Sequence, residues 1–159
     1  MKRRPGSTPT LPPDWSAFVG LLGKHRVRFL VVGAQALAAH GRPRFTGDLD
    51  IWVEPTKANA KRVCAALTEF GFADSADLDW FATPQRGLHG VQLGVEPFRI
   101  DLLKGISGLS FGTAWKRRLR ARLDGKTVFI IGRADFLKNK RASGRTKDLL
   151  DIALLEEID

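Results

Sequence analysis

Six residues constrain this chain more than any others: Asp48-Leu49-Asp50-Ile51-Trp52-Val53. The segment opens as a polar–apolar alternation and closes as an apolar run, the pattern of a strand that enters a core. Pro55 ends it. Alternate side chains of a strand share a face, so Asp48 and Asp50 project together, with Cα atoms roughly 6.5–7 Å apart. Two carboxylates so placed repel one another, and a fold accepts that readily when a divalent cation lies between them. Oxygen-only ligands select a hard metal, Mg²⁺ or Mn²⁺. A third acid, Asp101, stands alone among the apolar residues of Phe98-Arg99-Ile100-Asp101-Leu102-Leu103, a second expected strand. If that strand pairs beside the first, Asp101 completes the site.

The flanking sequence supplies more strands and the helices that cover them. Residues 1–13 read as a flexible, basic, proline-rich tail, and residues 14–159 as one domain. Asp14 is placed to cap a short helix with Phe18, Leu21 and Leu22 on its apolar face. Residues 28–32 form a short β-rich run that ends at Gly33, and the alanine-rich helix over 34–40 is stopped by Gly41 and Pro43. Thr56 can cap a helix that aligns Ala60, Val63, Leu67 and Phe70 and stops at Gly71. Residues 91–95 and 98–103 read as a strand pair turning near Glu96-Pro97. Residues 120–123 and 127–131 read as a hairpin about Asp124-Gly125. Two helices, over 133–142 and 146–157, close the chain, while 74–86 shows no clear pattern. This order predicts an α/β or α+β domain with a mixed sheet flanked by helices.

Composition narrows the class. At 159 residues and 43% hydrophobic, the chain can bury an ordinary core. Its single cysteine, Cys64, lies among apolar residues and reads as a small buried hydrophobe. No secretory signal or bilayer-length apolar run is present, so a soluble, cytoplasmic chain with no membrane partner is expected. Three unclustered histidines give no zinc site, and His40, at a helix end, reads as a capping or surface group. The formal net charge of +9 favours polyanionic partners. It is concentrated in Lys116, Arg117, Arg118, Arg120 and Arg122, and in Lys138, Lys140, Arg141, Arg145 and Lys147. An EF-hand loop starting at Asp48 fails, because its sixth and twelfth positions are Val53 and Asn59. A glycosyltransferase Asp-x-Asp normally follows a larger nucleotide-binding half than the residues ahead of Asp48 allow.

Phosphate chemistry needs a second half to the site. Gly33 lets the backbone turn sharply into a helix starting near Ala34, where free N–H groups face anions. Arg42 and Arg44 lie in the loop leading to Asp48, either contacting phosphate oxygens or forming a solvated basic loop. Trp52 reads as core or as a platform for a base, and Trp80, Phe81 and Trp115 as packing.

Val32-Gly33-Ala34, Arg44-Phe45-Thr46-Gly47-Asp48-Leu49-Asp50-Ile51 and the strand with Asp101 together resemble the polymerase-β-like nucleotidyltransferase superfamily. The segment from Phe136-Leu137-Lys138-Asn139-Lys140 through Gly144-Arg145-Thr146-Lys147-Asp148-Leu149-Leu150-Asp151 resembles the tail of small bacterial nucleotidyltransferase-like proteins. Those are related to abortive-infection toxins and minimal nucleotidyltransferases. The resemblance covers nearly all of the chain after residue 25. It implies a nucleotidyltransferase fold in which Asp48 and Asp50 hold two metals. Asp101 would bind the metal that lowers the pKa of an attacking hydroxyl, and could double as general base. A nucleoside triphosphate would be cleaved, its monophosphate transferred and pyrophosphate released. Nucleotide contacts would come from Gly33, Ala34, Arg42, Arg44, Thr46, Lys140 and Lys147. Lys140 and Lys147 could instead pair with Asp148 and Asp151. The implied acceptors are RNA such as a tRNA end, a protein, or a small antibiotic, and the implied protein partner is a cognate antitoxin or toxin. Ala34 departs from the family's Gly or Ser, which removes a hydroxyl contact and keeps a backbone N–H. That departure leaves open a catalytically silent fold that binds nucleic acid or a partner protein.

Overall fold

A computed structural model of the chain describes residues 11–43 and 46–157. Helix α1 (Pro13–Lys24) leads to strand β1 (Phe29–Val32), helix α2 (Gly33–Ala39), strand β2 (Asp48–Val53) and helix α3 (Lys57–Phe70). A 3₁₀ turn (Ala73–Ser75) and helix α4 (Leu78–Ala82) precede strands β3 (His89–Leu93) and β4 (Arg99–Gly105). Helix α5 (Phe111–Lys116), strands β5 (Leu119–Leu123) and β6 (Lys126–Ile130), and helices α6 (Arg133–Ser143) and α7 (Thr146–Glu156) follow. The strands form one sheet in the order β3-β4-β2-β1-β6-β5. Two pairings are parallel, β2 with β4 and β1 with β6, and the others antiparallel. The expected mixed sheet flanked by helices is therefore present.

The period-two alternation of the strands divides the interior into two cores. Leu49, Ile51, Val53, Ile100 and Leu102 pack with Phe18 and Leu22 of α1 and Ala60, Val63 and Leu67 of α3. On the other face Leu30, Val32, Trp52 and Leu103 pack with Leu37 of α2, Phe111 of α5, Phe136 of α6 and Leu155 of α7. Burying each such Leu or Phe stabilises the fold by roughly 1.5–3 kcal/mol before entropy is counted. Asp48 and Asp50 share their face with Trp52, and Arg99 and Asp101 share theirs with Leu103. The acids therefore begin the same rows that end in the second core.

Local chemistry fixes the supports. Thr56 Oγ1 accepts the Asn59 N–H at the start of α3, and Gly71 closes that helix at φ +95°. Buried Asn59 spends its amide on the sheet. Its Oδ1 accepts from Arg28 N at 2.7 Å, and its Nδ2 donates to the carbonyls of Arg28 and Glu54. Asp124 and Gly125, at φ +52° and +78°, make the tight β5–β6 turn. Cys64 is only partly buried against the first core, and burial pushes its thiol above the ordinary range.

Several boundaries differ from the sequence expectation. Helix α1 starts at Pro13 with Pro12 as its N-cap residue, so Asp14 sits inside the first turn. Proline has no N–H to leave unpaired there, and Asp14 faces the positive end of the helix. Leu11 is only 5% exposed and joins the first core, so the inner end of the expected tail is anchored. Residues 1–10 of that tail lie outside the described residues. Strand β3 lies two residues earlier than expected, because Gly94 at φ +75° ends the extended run. The segment without a readable pattern contains α4, capped by Asp77 Oδ1 accepting from Trp80 N. Helix α5 was not expected, and it holds Phe111 edge-on to Trp52 at 5.1 Å.

Candidate metal centre

The parallel register of β2 and β4 sets Asp48 beside Arg99 and Asp50 beside Asp101. The antiparallel register of β1 and β2 sets Asp50 beside Val32, one residue before Gly33. Two strand alternations and one register thus gather Asp48, Asp50 and Asp101. One carboxylate oxygen from each lies within 4.8 Å of the others.

Electrostatics distinguish the three acids. Burial raises Asp50 most, the charges of Asp48 and Asp101 add to it, and its pKa stands at about 7 although Lys140 pulls the other way. Asp48 is also penalised by burial. The Thr46 hydroxyl and the Arg99 charge outweigh that, and hold its carboxyl below the usual range. Thr46 Oγ1 donates to Asp48 Oδ1 at 2.8 Å, so the threonine expected at a nucleotide orients a carboxylate here. Asp101 Oδ1 is buried and, although 2.9 Å from Arg99 Nε, accepts no aligned hydrogen bond. An oxygen-only donor set, an excess of negative charge and a buried oxygen without an aligned donor fit a hard divalent cation.

Gly33 matters here for two reasons. Its φ is +65°, and a Cβ built on it would lie 2.0 Å from Asp50 Oδ2. The sequence showed the turn. The close approach of the Asp50 carboxylate emerges only from the β1–β2 register.

Arg99 joins the site through the β2–β4 register, which the sequence alone does not show. Its Nη2 donates to Asp48 Oδ2 at 2.7 Å and to Asp101 Oδ2 at 3.1 Å, and Nη1 lies 3.5 Å from Glu96 Oε1. Its position two residues before Asp101 on one strand was a signal for a shared face.

The acids line the floor of a cavity of about 420 Å³ that also includes Gly33, Ala34 and Thr46. Asn139, Lys140, Ser143, Arg145 and Lys147 line it from α6 and the start of α7. Among the expected nucleotide contacts, Lys147 is exposed. Lys140 is only 6% exposed, and its Nζ lies 3.1 Å from Asp148 Oδ1 and 3.3 Å from Asp151 Oδ2. Arg42 does not line the cavity. Its Nε donates to the Leu154 carbonyl at 2.9 Å, and Nη2 lies 3.5 Å from Glu157, so α7 holds it. Arg44 lies outside the described residues. Trp52 is 1% exposed and packs in the second core, and His40 is the C-cap of α2 with Nε2 2.9 Å from the Ile131 carbonyl.

No protein-family model matches this chain, and no curated protein sequence matches it. Its structure is similar to the crystal structure of a putative nucleotidyltransferase from Thermotoga maritima. The TM-score is 0.55 at 13% identity, and the match covers 91% of each chain. That likeness is one of fold: the chain has a nucleotidyltransferase-like fold, and its three-aspartate cluster could hold a metal ion.

Proposed function

We propose that this chain is a metal-dependent nucleotidyltransferase that moves a nucleoside monophosphate from a nucleoside triphosphate to a hydroxyl and releases pyrophosphate. The observation that carries this reading is the convergence of Asp48, Asp50 and Asp101, from two parallel strands, on the floor of a polar cavity. A divalent cation, Mg²⁺ or Mn²⁺, held by these acids would supply Lewis-acid stabilisation of phosphoryl oxygens and a lowered pKa for the attacking hydroxyl. In the reaction the hydroxyl oxygen bonds to the α-phosphorus, the bond to the bridging β-phosphate oxygen breaks, and pyrophosphate leaves with that electron pair.

The chain's own residues bind, orient and accept a proton. Thr46 holds Asp48 in position, and Gly33 leaves room for Asp50. Asp101 is the candidate general base for the proton of the acceptor hydroxyl. Lys147 and Arg145, both exposed at the cavity, offer positive charge to phosphates, and Ala34 offers its backbone N–H. Lys140 acts from behind through its carboxylate pair and its field on Asp50.

The acceptor hydroxyl belongs to RNA, such as a tRNA end, in the reading that the exposed cations Lys116, Arg120, Arg122, Lys138 and Arg141 favour. A protein or a small antibiotic is the alternative acceptor, and a cognate toxin or antitoxin the associated partner. We place the activity in the cytoplasm. No helix among the described residues is long and apolar enough to cross a membrane. Ala34 favours a second reading, a catalytically silent nucleotidyltransferase fold that binds nucleic acid or a partner protein.

The test is to offer labelled ATP, CTP, GTP and UTP with Mg²⁺ or Mn²⁺ to the protein with tRNA, and separately with protein and aminoglycoside acceptors. Label transfer by the wild type and not by Asp50→Asn supports the transferase. Metal-dependent triphosphate binding without transfer would support the nucleotide site and point to an acceptor outside this set. No transfer and no metal-dependent binding of any triphosphate would remove the transferase and favour the silent fold.

A further inference from the structure

Arg99 is a resident cation inside a set of ligands suited to another cation. Its guanidinium draws on two of the three carboxylates, through Nη2 to Asp48 Oδ2 at 2.7 Å and to Asp101 Oδ2 at 3.1 Å, with Nε 2.9 Å from Asp101 Oδ1. Those are oxygens of two of the three acids that could hold a metal. A guanidinium and a divalent cation on the same carboxylates repel each other, and a lone pair given to an N–H is not available to a metal. The arrangement also supplies a second berth. Nη1 already lies 3.5 Å from Oε1 of Glu96, whose side chain is 64% exposed on the solvent side. Arg99 itself lines the cavity. A short swing of the guanidinium from Asp48 and Asp101 toward Glu96 would keep it paired and free its planar face, the form that recognises phosphates.

We propose that Arg99 is a built-in counter-ion that competes with the divalent cation for Asp48 and Asp101 and, once displaced toward Glu96, holds the triphosphate. Metal loading and nucleotide binding are thereby coupled through one side chain. This rests on the metal-dependent reading above. Arg99 has a different alternative role, that of an organiser which merely keeps the two carboxylates in place. The two roles predict opposite signs. Removing a competitor tightens metal binding, whereas removing an organiser weakens it.

The experiment is a Mn²⁺ titration followed by electron paramagnetic resonance, without nucleotide, on wild type, Arg99→Gln and Arg99→Lys, with circular dichroism to confirm folding. Competition predicts that Arg99→Gln binds Mn²⁺ on the order of tenfold more tightly than wild type. Arg99→Lys keeps one charge and cannot bridge both acids, so it falls between them and decides the question should the glutamine variant fail to fold. At saturating Mn²⁺, both variants should bind ATP about tenfold more weakly than wild type. Unchanged or weaker Mn²⁺ binding by the variants overturns the proposal while leaving the metal centre standing. Full ATP affinity in the variants overturns the second half of the proposal. Absence of Mn²⁺ binding in all three proteins overturns the proposal together with the metal-dependent reading.

Discussion

A Cβ on Gly33 would lie 2.0 Å from Asp50 Oδ2, well inside van der Waals contact, on a residue whose φ is +65°. Gly33→Ala therefore has both to strain the backbone and to displace a carboxylate. A loss of roughly 1–3 kcal/mol in urea unfolding is expected, along with loss of Mn²⁺ binding. An alanine variant with wild-type stability would show that the turn tolerates a side chain. Asp50 carries a pH signature. Its pKa is about 7 in the folded chain against an ordinary 3.8, so between those values the folded state holds a proton that the unfolded state has lost. Its contribution to stability is present at the acid end and is lost as pH rises toward 7. In EDTA, Asp50→Asn should gain on wild type between pH 5 and 7.5, by on the order of 1–2 kcal/mol in urea unfolding. Parallel pH profiles for the two proteins would contradict this. The acids themselves were legible, because period-two alternation places Asp48 with Asp50 whatever the partner strand. Arg99 was not, because its grip on Asp48 depends on the β2–β4 register, a tertiary fact.

At the scale of elements, α6 and α7 are joined by a buried ionic cluster. Lys140 Nζ lies between Asp148 and Asp151, each no more than 1% exposed. Burial alone would raise Asp148. Hydrogen bonds from Arg145, Ser143 and Lys140 outweigh that, and hold its carboxyl well below the usual range. Lys140→Met strips both acids of the lysine they share, and should cost about 3–5 kcal/mol in urea unfolding. A Lys140 that served only phosphate would leave the unfolding midpoint unchanged and weaken nucleotide binding alone. The sequence offered both pairings, and only the packing of α6 on α7 shows where Nζ lies. Long, periodic elements such as α3 were readable through their caps, Thr56 and Gly71. Helices α4 and α5 span only five and six residues, too few for a 3.6-residue period to show. Arg42 was misplaced for a related reason. Loop proximity to Asp48 suggested the cavity, but the carbonyl of Leu154 on α7, distant in sequence, takes its Nε.

At the scale of the molecule, one end of the sheet gathers what phosphoryl chemistry uses. The end of β1, the start of β2 and the parallel strand β4 bring carboxylates together, and α6 and α7 bring cations to the same cavity. The opposite ends of these strands run into the two cores, so the acids are set on a rigid base. Among the described residues, much of the positive charge lies outside that cavity, on exposed residues such as Arg120, Arg122 and Lys138. On the proposed function, nucleotide binding depends on a metal held by the three aspartates. Calorimetric titration of ATP and CTP with Mg²⁺ or Mn²⁺ tests it most directly, comparing wild type with Asp48→Asn/Asp50→Asn. The wild type should bind only when the metal is present, and the double variant should not bind. Absence of metal-dependent binding by the wild type, for these and for GTP and UTP, would contradict it.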